Sequence, residues 1–153
     1  MDSIYILAFK VVSLAAVPFW ILMICAPNWP FTRRFMTSLV PMLIMALPYA
    51  ILELPLYLPH LPHFLNPQFE YIQSILGQTK TVTLAWSHFI ATDLFAGRWI
   101  YLDSRQRGTS PLVMAPIIFL CAMFCPAGIT VYLLYRGWQT RSGKVAPSVE
   151  TAV

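Results

Sequence analysis

Charge is what this chain has least of. Lysine and arginine total 10 and aspartate and glutamate 6 in 153 residues, so only 10% of the chain is charged. Soluble domains carry about 25%. With 58% hydrophobic residues, the chain reads as an integral membrane protein, and its size suits one bundle. The net charge of +4 does not argue for nucleic acid as a partner. The basic residues stand singly or in pairs at the ends of apolar runs, where membrane proteins keep them. Cysteine is scarce as well. Cys25, Cys121 and Cys125 all fall in apolar runs. Without paired Cys-x-x-Cys motifs they suggest neither a disulfide framework nor a thiolate metal site, and they read as small buried hydrophobes. A secretory signal is also missing. Met1-Asp2-Ser3 has no basic n-region, and no small-residue cleavage site follows, so the first apolar stretch is expected to be a retained helix. No chloroplast-type transit peptide, internal repeat or soluble domain is visible. The expected location is a bacterial cytoplasmic or thylakoid membrane, or a plastid membrane for a mature plant chain.

What the chain does have is apolar length. A span needs about 20 mostly apolar residues, and four runs meet this: 4–26, 38–58, 82–102 and 112–135. The last has Ser110 as N-cap and Pro111 in its first turn. The expected fold is therefore all-α, a polytopic bundle of four transmembrane helices forming a single domain over 1–140. Between spans two and three, Asn66-Pro67 marks a helix start, with Phe69, Ile72 and Leu76 on one face. A short helix lying at the membrane interface is expected there, with a proline-rich loop as the plain alternative. The stretch 141–153 is small, polar and aperiodic and is expected to be disordered. With four spans both termini share one side. Lys10, Lys80, Arg136, Arg141 and Lys144 then lie opposite Arg33, Arg34, Arg98, Arg105 and Arg107. The tie of five against five leaves orientation undecided.

The third run is unusual because it carries ionisable groups inside apolar sequence: His88, Asp93 and Arg98, with Asp103 at its end. Each such group costs roughly 2.5–3.5 kcal/mol at bilayer depth on insertion scales. Helical rise places Lys10, Glu53 and His88 about 8–9 Å below the same surface, so a cluster of the three is geometrically open. Asp93 sits deepest. Asp93 and Arg98 point about 140° apart and should look to other helices. Gly97 shares the face of Asp93 and would let a neighbouring backbone approach. His88, Thr92, Phe95, Trp99 and Asp103 form a mixed aromatic and polar stripe, suited to a long apolar ligand with a polar end. Prolines 41, 48 and 55 fall nearly on one face of span two and deprive the carbonyls of Thr37, Ile44 and Ile51 of donors. Cys125-Pro126-Ala127-Gly128 is expected to bend span four at about the depth of Asp93. Each feature has a structural alternative: Lys10 snorkelling, His88 bonding across the bundle, Arg98 and Asp103 anchoring a helix end.

Several of these residues also carry a resemblance. Trp86-x-His88, Asp93-Leu-Phe-Ala-x-Arg98, Asp103, Cys121 with Leu120 and Phe124, and Cys125-Pro-x-Gly128 resemble the plant abscisic-acid-deficient-four family and its bacterial and cyanobacterial relatives. Pro18-Phe19, Ala26-Pro27 and Arg33-Arg34 extend the similarity, which runs from Ala15 to Gly137. Gly97, Trp99 and the proline-rich stretch 55–67 depart from the pattern. The resemblance implies a role in forming neoxanthin, an allenic carotenoid, from violaxanthin, an epoxide. That conversion is a net isomerisation and needs no redox cofactor in principle. It asks for a proton donor at the epoxide oxygen and an acceptor for a carbon-bound proton. On this reading Asp93 is the donor and His88 the base or relay. Arg98 stabilises oxyanion charge or orients Asp93, and Glu53 is a second acid–base candidate. Trp86, Thr92, Phe95, Gly97, Trp99 and Asp103 are the substrate-binding candidates. The implied partners are a carotenoid or other polyene and membrane lipids, with a homo-oligomer or a photosynthetic or carotenogenic complex as further expectations. The alternative is a pigment-binding accessory or assembly subunit, with His88 ligating chlorophyll or haem. His60 and His63, on the same side, are the further histidines for such a site.

Overall fold

Asp2–Cys25 forms α1, an apolar run without a glycine. The structure is a computed structural model that describes residues 2–142, and their side chains except at 2, 48, 52–57 and 59. Of the stretch 141–153, expected to be disordered, Arg141 instead ends the last helix, and 143–153 lie outside the described residues. After α1 come α2 (Pro30–Thr37), α3 (Val40–Tyr57), a 3₁₀ turn (Leu58–His60), α4 (Leu61–Leu65), α5 (Phe69–Leu76), α6 (Thr79–Gln106), α7 (Pro111–Met123) and α8 (Cys125–Arg141). Among the described residues no strand is present, so the all-α class holds. Among the described residues, only Ser3–Cys25 is, as a single helix, long and apolar enough to cross a membrane, and Pro30–Thr37 with Val40–Ile51 qualifies as a bent pair. The 28 residues of α6 have the length, but Lys80, Asp93, Arg98, Asp103 and Arg105 dilute their apolarity.

α6 is the axis of the molecule. It packs against α1, α3, α7 and α8. Met23, Met36, Leu94, Ile100, Tyr101, Met114, Ile118, Cys121 and Tyr132 form the buried core. The chain turns by 55° between α2 and the start of α3. Pro41 has no N–H to give the Thr37 carbonyl, and α6 supplies the missing donors. Arg98 donates from Nε to the Met36 carbonyl at 2.6 Å, and from Nη2 to the carbonyls of Thr37 at 3.2 Å and Ser38 at 3.1 Å. The helix end is thus closed by a cation, where the helix dipole favours one.

The short helix expected between the second and third runs is present as α5, but it starts later than Asn66-Pro67. Asn66 instead ends α4, in a non-helical conformation, because Pro67 disfavours helix at the residue before it. His60 and His63 both engage Tyr71. The first shares a hydrogen bond with its hydroxyl at 2.5 Å, and the second stacks on its ring at 3.8 Å between centroids.

The fourth span is where sequence and structure part. The run 112–135 is not one helix. It breaks at Phe124, and α8 folds back along α7 as a helical hairpin. Three observations fix the reversal. Gly128 lies so close on Cys121 that a β-carbon would overlap its backbone. Gln139 Nε2, near the end of α8, donates to Thr109 Oγ1, just before α7, at 3.2 Å. Arg136 Nε lies 3.3 Å from Asp103 at the end of α6. Pro126 sits in the first turn of α8, where its missing N–H costs nothing. The bend expected at Cys125–Gly128 is therefore a full turn, and the expectation of four continuous spans is corrected here. The end of α8 returns to the α6–α7 junction, so Arg136 and Arg141 share a side with Arg105 and Arg107.

Candidate functional site: a groove closed by the hairpin tip

α1, α6 and the hairpin tip enclose a groove of about 1130 Å³. Ser13, Val17, Trp20 and Ile24 line it from α1, Trp86, His88, Phe89, Thr92 and Asp93 from α6, and Phe119, Met123, Phe124 and Cys125 from the hairpin. Its walls are mostly apolar, and a few polar atoms break them. Trp86 Nε1 donates to Ser13 Oγ at 2.9 Å while its ring stacks on Phe9, which ties α6 to α1 along the groove. Thr92 Oγ1 turns back to the carbonyls of His88 and Phe89, both at 2.9 Å. That leaves its methyl group as the part free to face a ligand.

Asp93 is the carboxylate of the groove. It is half-buried, and the Cys125 thiol at the hairpin tip is near enough to interact with it. Cys125 Sγ in turn lies 3.9 Å from Cys121 Sγ. His88 is near enough to act on Asp93 electrostatically. The Nδ1 atom of His88 shares a hydrogen bond with Tyr49 Oη at 2.8 Å, which fixes the ring through α3 and leaves Nε2 for another partner. Acid, imidazole and thiol are thus drawn from two elements and supported by a third, a preorganised polar group in an otherwise apolar cleft.

The structure gathers four of the sequence candidates, His88, Asp93, Trp86 and Thr92, in this groove. It sends the others elsewhere. Arg98 is spent on the carbonyls at the α2–α3 break. Gly97 makes room for the Trp20 ring, which a β-carbon there would overlap, so a side chain and not a backbone fills the gap. Phe95 is exposed and lies outside the groove lining. Trp99 packs edge-on against Tyr132, with the Arg136 guanidinium 5.9 Å from its ring centre. Asp103 binds Arg107 at 2.7 Å and accepts from the Tyr132 hydroxyl, locking α8 onto α6. The side chain of Glu53 lies outside the described residues, and with it the expected Lys10–Glu53–His88 cluster. Residues that sequence reasoning did not place in a site are Cys125, whose thiol reads as a small buried hydrophobe within a bend motif, and Trp20. For Cys125 the signal was depth: it falls level with Asp93 by residue count.

The family described as ABA DEFICIENT 4-like matches residues 7–132. The chain belongs to this ABA4-like family. Among curated relatives, Protein ABA DEFICIENT 4, chloroplastic, of Arabidopsis thaliana is 30% identical over 137 residues, an alignment covering 84% of this chain and 60% of the relative. The chain thus spans about 60% of the length of the family member it matches. No solved structure matches it. The family match runs from residue 7 in α1 to Tyr132 midway along α8, so every residue lining the groove lies inside it.

Proposed function

We propose that the chain binds a carotenoid in this groove and isomerises it by acid–base chemistry. The observation that carries the reading is a long apolar groove whose carboxylate sits at the hairpin tip. A rod-like polyene suits such walls, and its oxygenated end group suits the polar cluster. The family resemblance implies an epoxide converted to an allene. On this reading Asp93, as the carboxylic acid, gives a proton to the epoxide oxygen as the ring C–O bond opens. A carbon-bound proton leaves to a base, with His88 Nε2 the candidate. One proton is gained and one lost, so atoms and electrons balance and no redox cofactor is called for. Cys125 would hold the Asp93 carboxyl in place, and Arg98 would act only at a distance, by fixing α3 against α6.

The proposed membrane arrangement follows from the hairpin. α1, the bent α2–α3 pair and α6 would cross within a single domain, and α7–α8 would enter and leave by one side. The 13 residues of α7 rise about 20 Å, short of the roughly 30 Å hydrocarbon core. This breaks the charge tie. Lys10 and Lys80 would remain on one side, with Arg33, Arg34, Arg98, Arg105, Arg107, Arg136 and Arg141 on the other. The arginine side would face the cytoplasm or stroma. A plastid or thylakoid membrane is the proposed location, in keeping with the chloroplastic relative. Single cysteines introduced as Ser3→Cys and Ser142→Cys should react with a membrane-impermeant thiol reagent from opposite faces. Labelling of both from one face would restore four crossings.

A second reading rests on His88, whose ring is oriented by Tyr49 as metal-ligating imidazoles usually are by a neighbour. One such imidazole in an apolar groove suits axial ligation of a chlorophyll magnesium or a haem iron, making the chain a pigment-binding subunit. The absorption spectrum of the gently purified protein separates the readings. Polyene bands alone are expected, and incubation with an epoxy carotenoid should yield an isomer on chromatography. Red bands or a Soret band would favour the second reading, and a colourless folded protein that changes no carotenoid would sink both.

A further inference from the structure

The face carrying Arg33, Arg105 and the base of the hairpin holds more positive charge than its own acids answer. Asp103 is the described carboxylate there, and it is already shared by Arg107 at 2.7 Å, Arg136 at 3.3 Å and the Tyr132 hydroxyl. Arg105 meets only uncharged partners. Its Nη1 donates to Asn28 Oδ1 at 3.1 Å and its Nη2 to the Thr109 carbonyl, while its Nε is buried with no acceptor. Arg33 is exposed, and among the described residues its guanidinium has no hydrogen-bond or ion-pair acceptor. Between these two side chains lies a second cavity, of about 230 Å³, walled also by Thr37, Tyr101, Leu102 and Gln106.

Two like charges at the mouth of one cavity repel, and among the described residues no carboxylate lines it. An anion would relieve both. The planar guanidinium fork fits phosphate oxygens in pairs, and basic pockets between helices at a membrane surface hold anionic headgroups. Exposed Trp29 and Phe31 lie beside this corner in sequence, as aromatic residues do at headgroup level. We propose that the Arg33–Arg105 cavity binds a phosphate ester anion, whether the headgroup of an anionic lipid or a soluble phosphate ester. The site lies apart from the groove and does not depend on the carotenoid reading.

The test is lipid retention by the full chain, purified in detergent and titrated with phosphatidylglycerol or phosphatidylcholine, read by native mass spectrometry. Phosphatidylglycerol should be retained in preference to phosphatidylcholine. Arg33→Gln removes an exposed side chain with no internal partner, so folding should survive. It is expected to weaken that retention about fivefold, the worth of one basic residue near the surface. Arg141→Gln, on the same face but away from the cavity, should leave retention unchanged. Glycerol 3-phosphate supplies the second arm: displacement of the lipid identifies a soluble ester as sufficient, and failure to displace identifies the lipid as the ligand. Equal retention of both lipids by the wild-type chain would overturn the site. So would an Arg141→Gln loss as large as that of Arg33→Gln, since diffuse surface charge would then explain the binding.

Discussion

Asp93→Asn is expected to cut conversion of the epoxy carotenoid by about 10²–10⁴-fold, the usual worth of a positioned general acid or base, while pigment stays bound. The amide keeps the size of the carboxyl and can still face the Cys125 thiol, so the hairpin tip should remain seated. What it loses is the proton to give. Binding comes from the apolar walls, which the substitution leaves alone. Retention of polyene bands with loss of product is therefore the signature of the acid. Unchanged product would remove Asp93 from the chemistry, and loss of both bands and product would make it a residue of binding or folding. His88→Gln should behave differently, because it breaks the contact with Tyr49 as well as removing a base. Asp93 is the cleaner probe.

Much of this arrangement was legible in the sequence, and the physics explains which parts were not. α1 is an apolar run with Lys10 as its one cation, and hydropathy alone places it. Pro41 announced a Thr37 carbonyl without a donor. That Arg98 would answer it could not be read, because the pairing joins residues about sixty positions apart through tertiary packing. His88 and Asp93 stood out as ionisable groups in an apolar helix, and both do line the groove. Gly97 stood out correctly as a site of close approach, but spacing does not name the partner, and Trp20 filled the gap. The hairpin was the largest miss. A run of 24 apolar residues has the same hydropathy whether it crosses or turns back, and Cys125-Pro126-Ala127-Gly128 signalled a break without its angle. Asp103 looked like part of a ligand stripe while α8 was thought to run away from it. Once α8 returns, the same carboxylate becomes the anchor for Arg107, Arg136 and Tyr132.

The hairpin rests on one glycine, and that gives the second large effect. Gly128 and Gly137 both lie within α8, and both changed to alanine receive the same methyl group. At Gly137 nothing stands within 4 Å of the new atom, and a helix interior gains roughly 0.5–1 kcal/mol from alanine over glycine. The unfolding temperature in detergent should rise slightly. At Gly128 the methyl meets the Cα, N and Cβ of Cys121, which are backbone and near-backbone atoms and cannot rotate aside. Overpacking costs about 1–3 kcal/mol where side chains can yield, and here the two helices must separate instead. Gly128→Ala should therefore unfold at a lower temperature, by several degrees on the scaling of about 2–8 °C per kcal/mol. Spin labels placed at exposed Leu112 and Thr140 should move apart. Separation at the tip also withdraws Cys125 from Asp93, so turnover should fall with stability, whereas Gly137→Ala should leave turnover unchanged. If the two variants shifted stability in the same direction by the same amount, α7 and α8 would not pack as a hairpin. The groove would then lose its third wall, and with it the reason for placing the acid there.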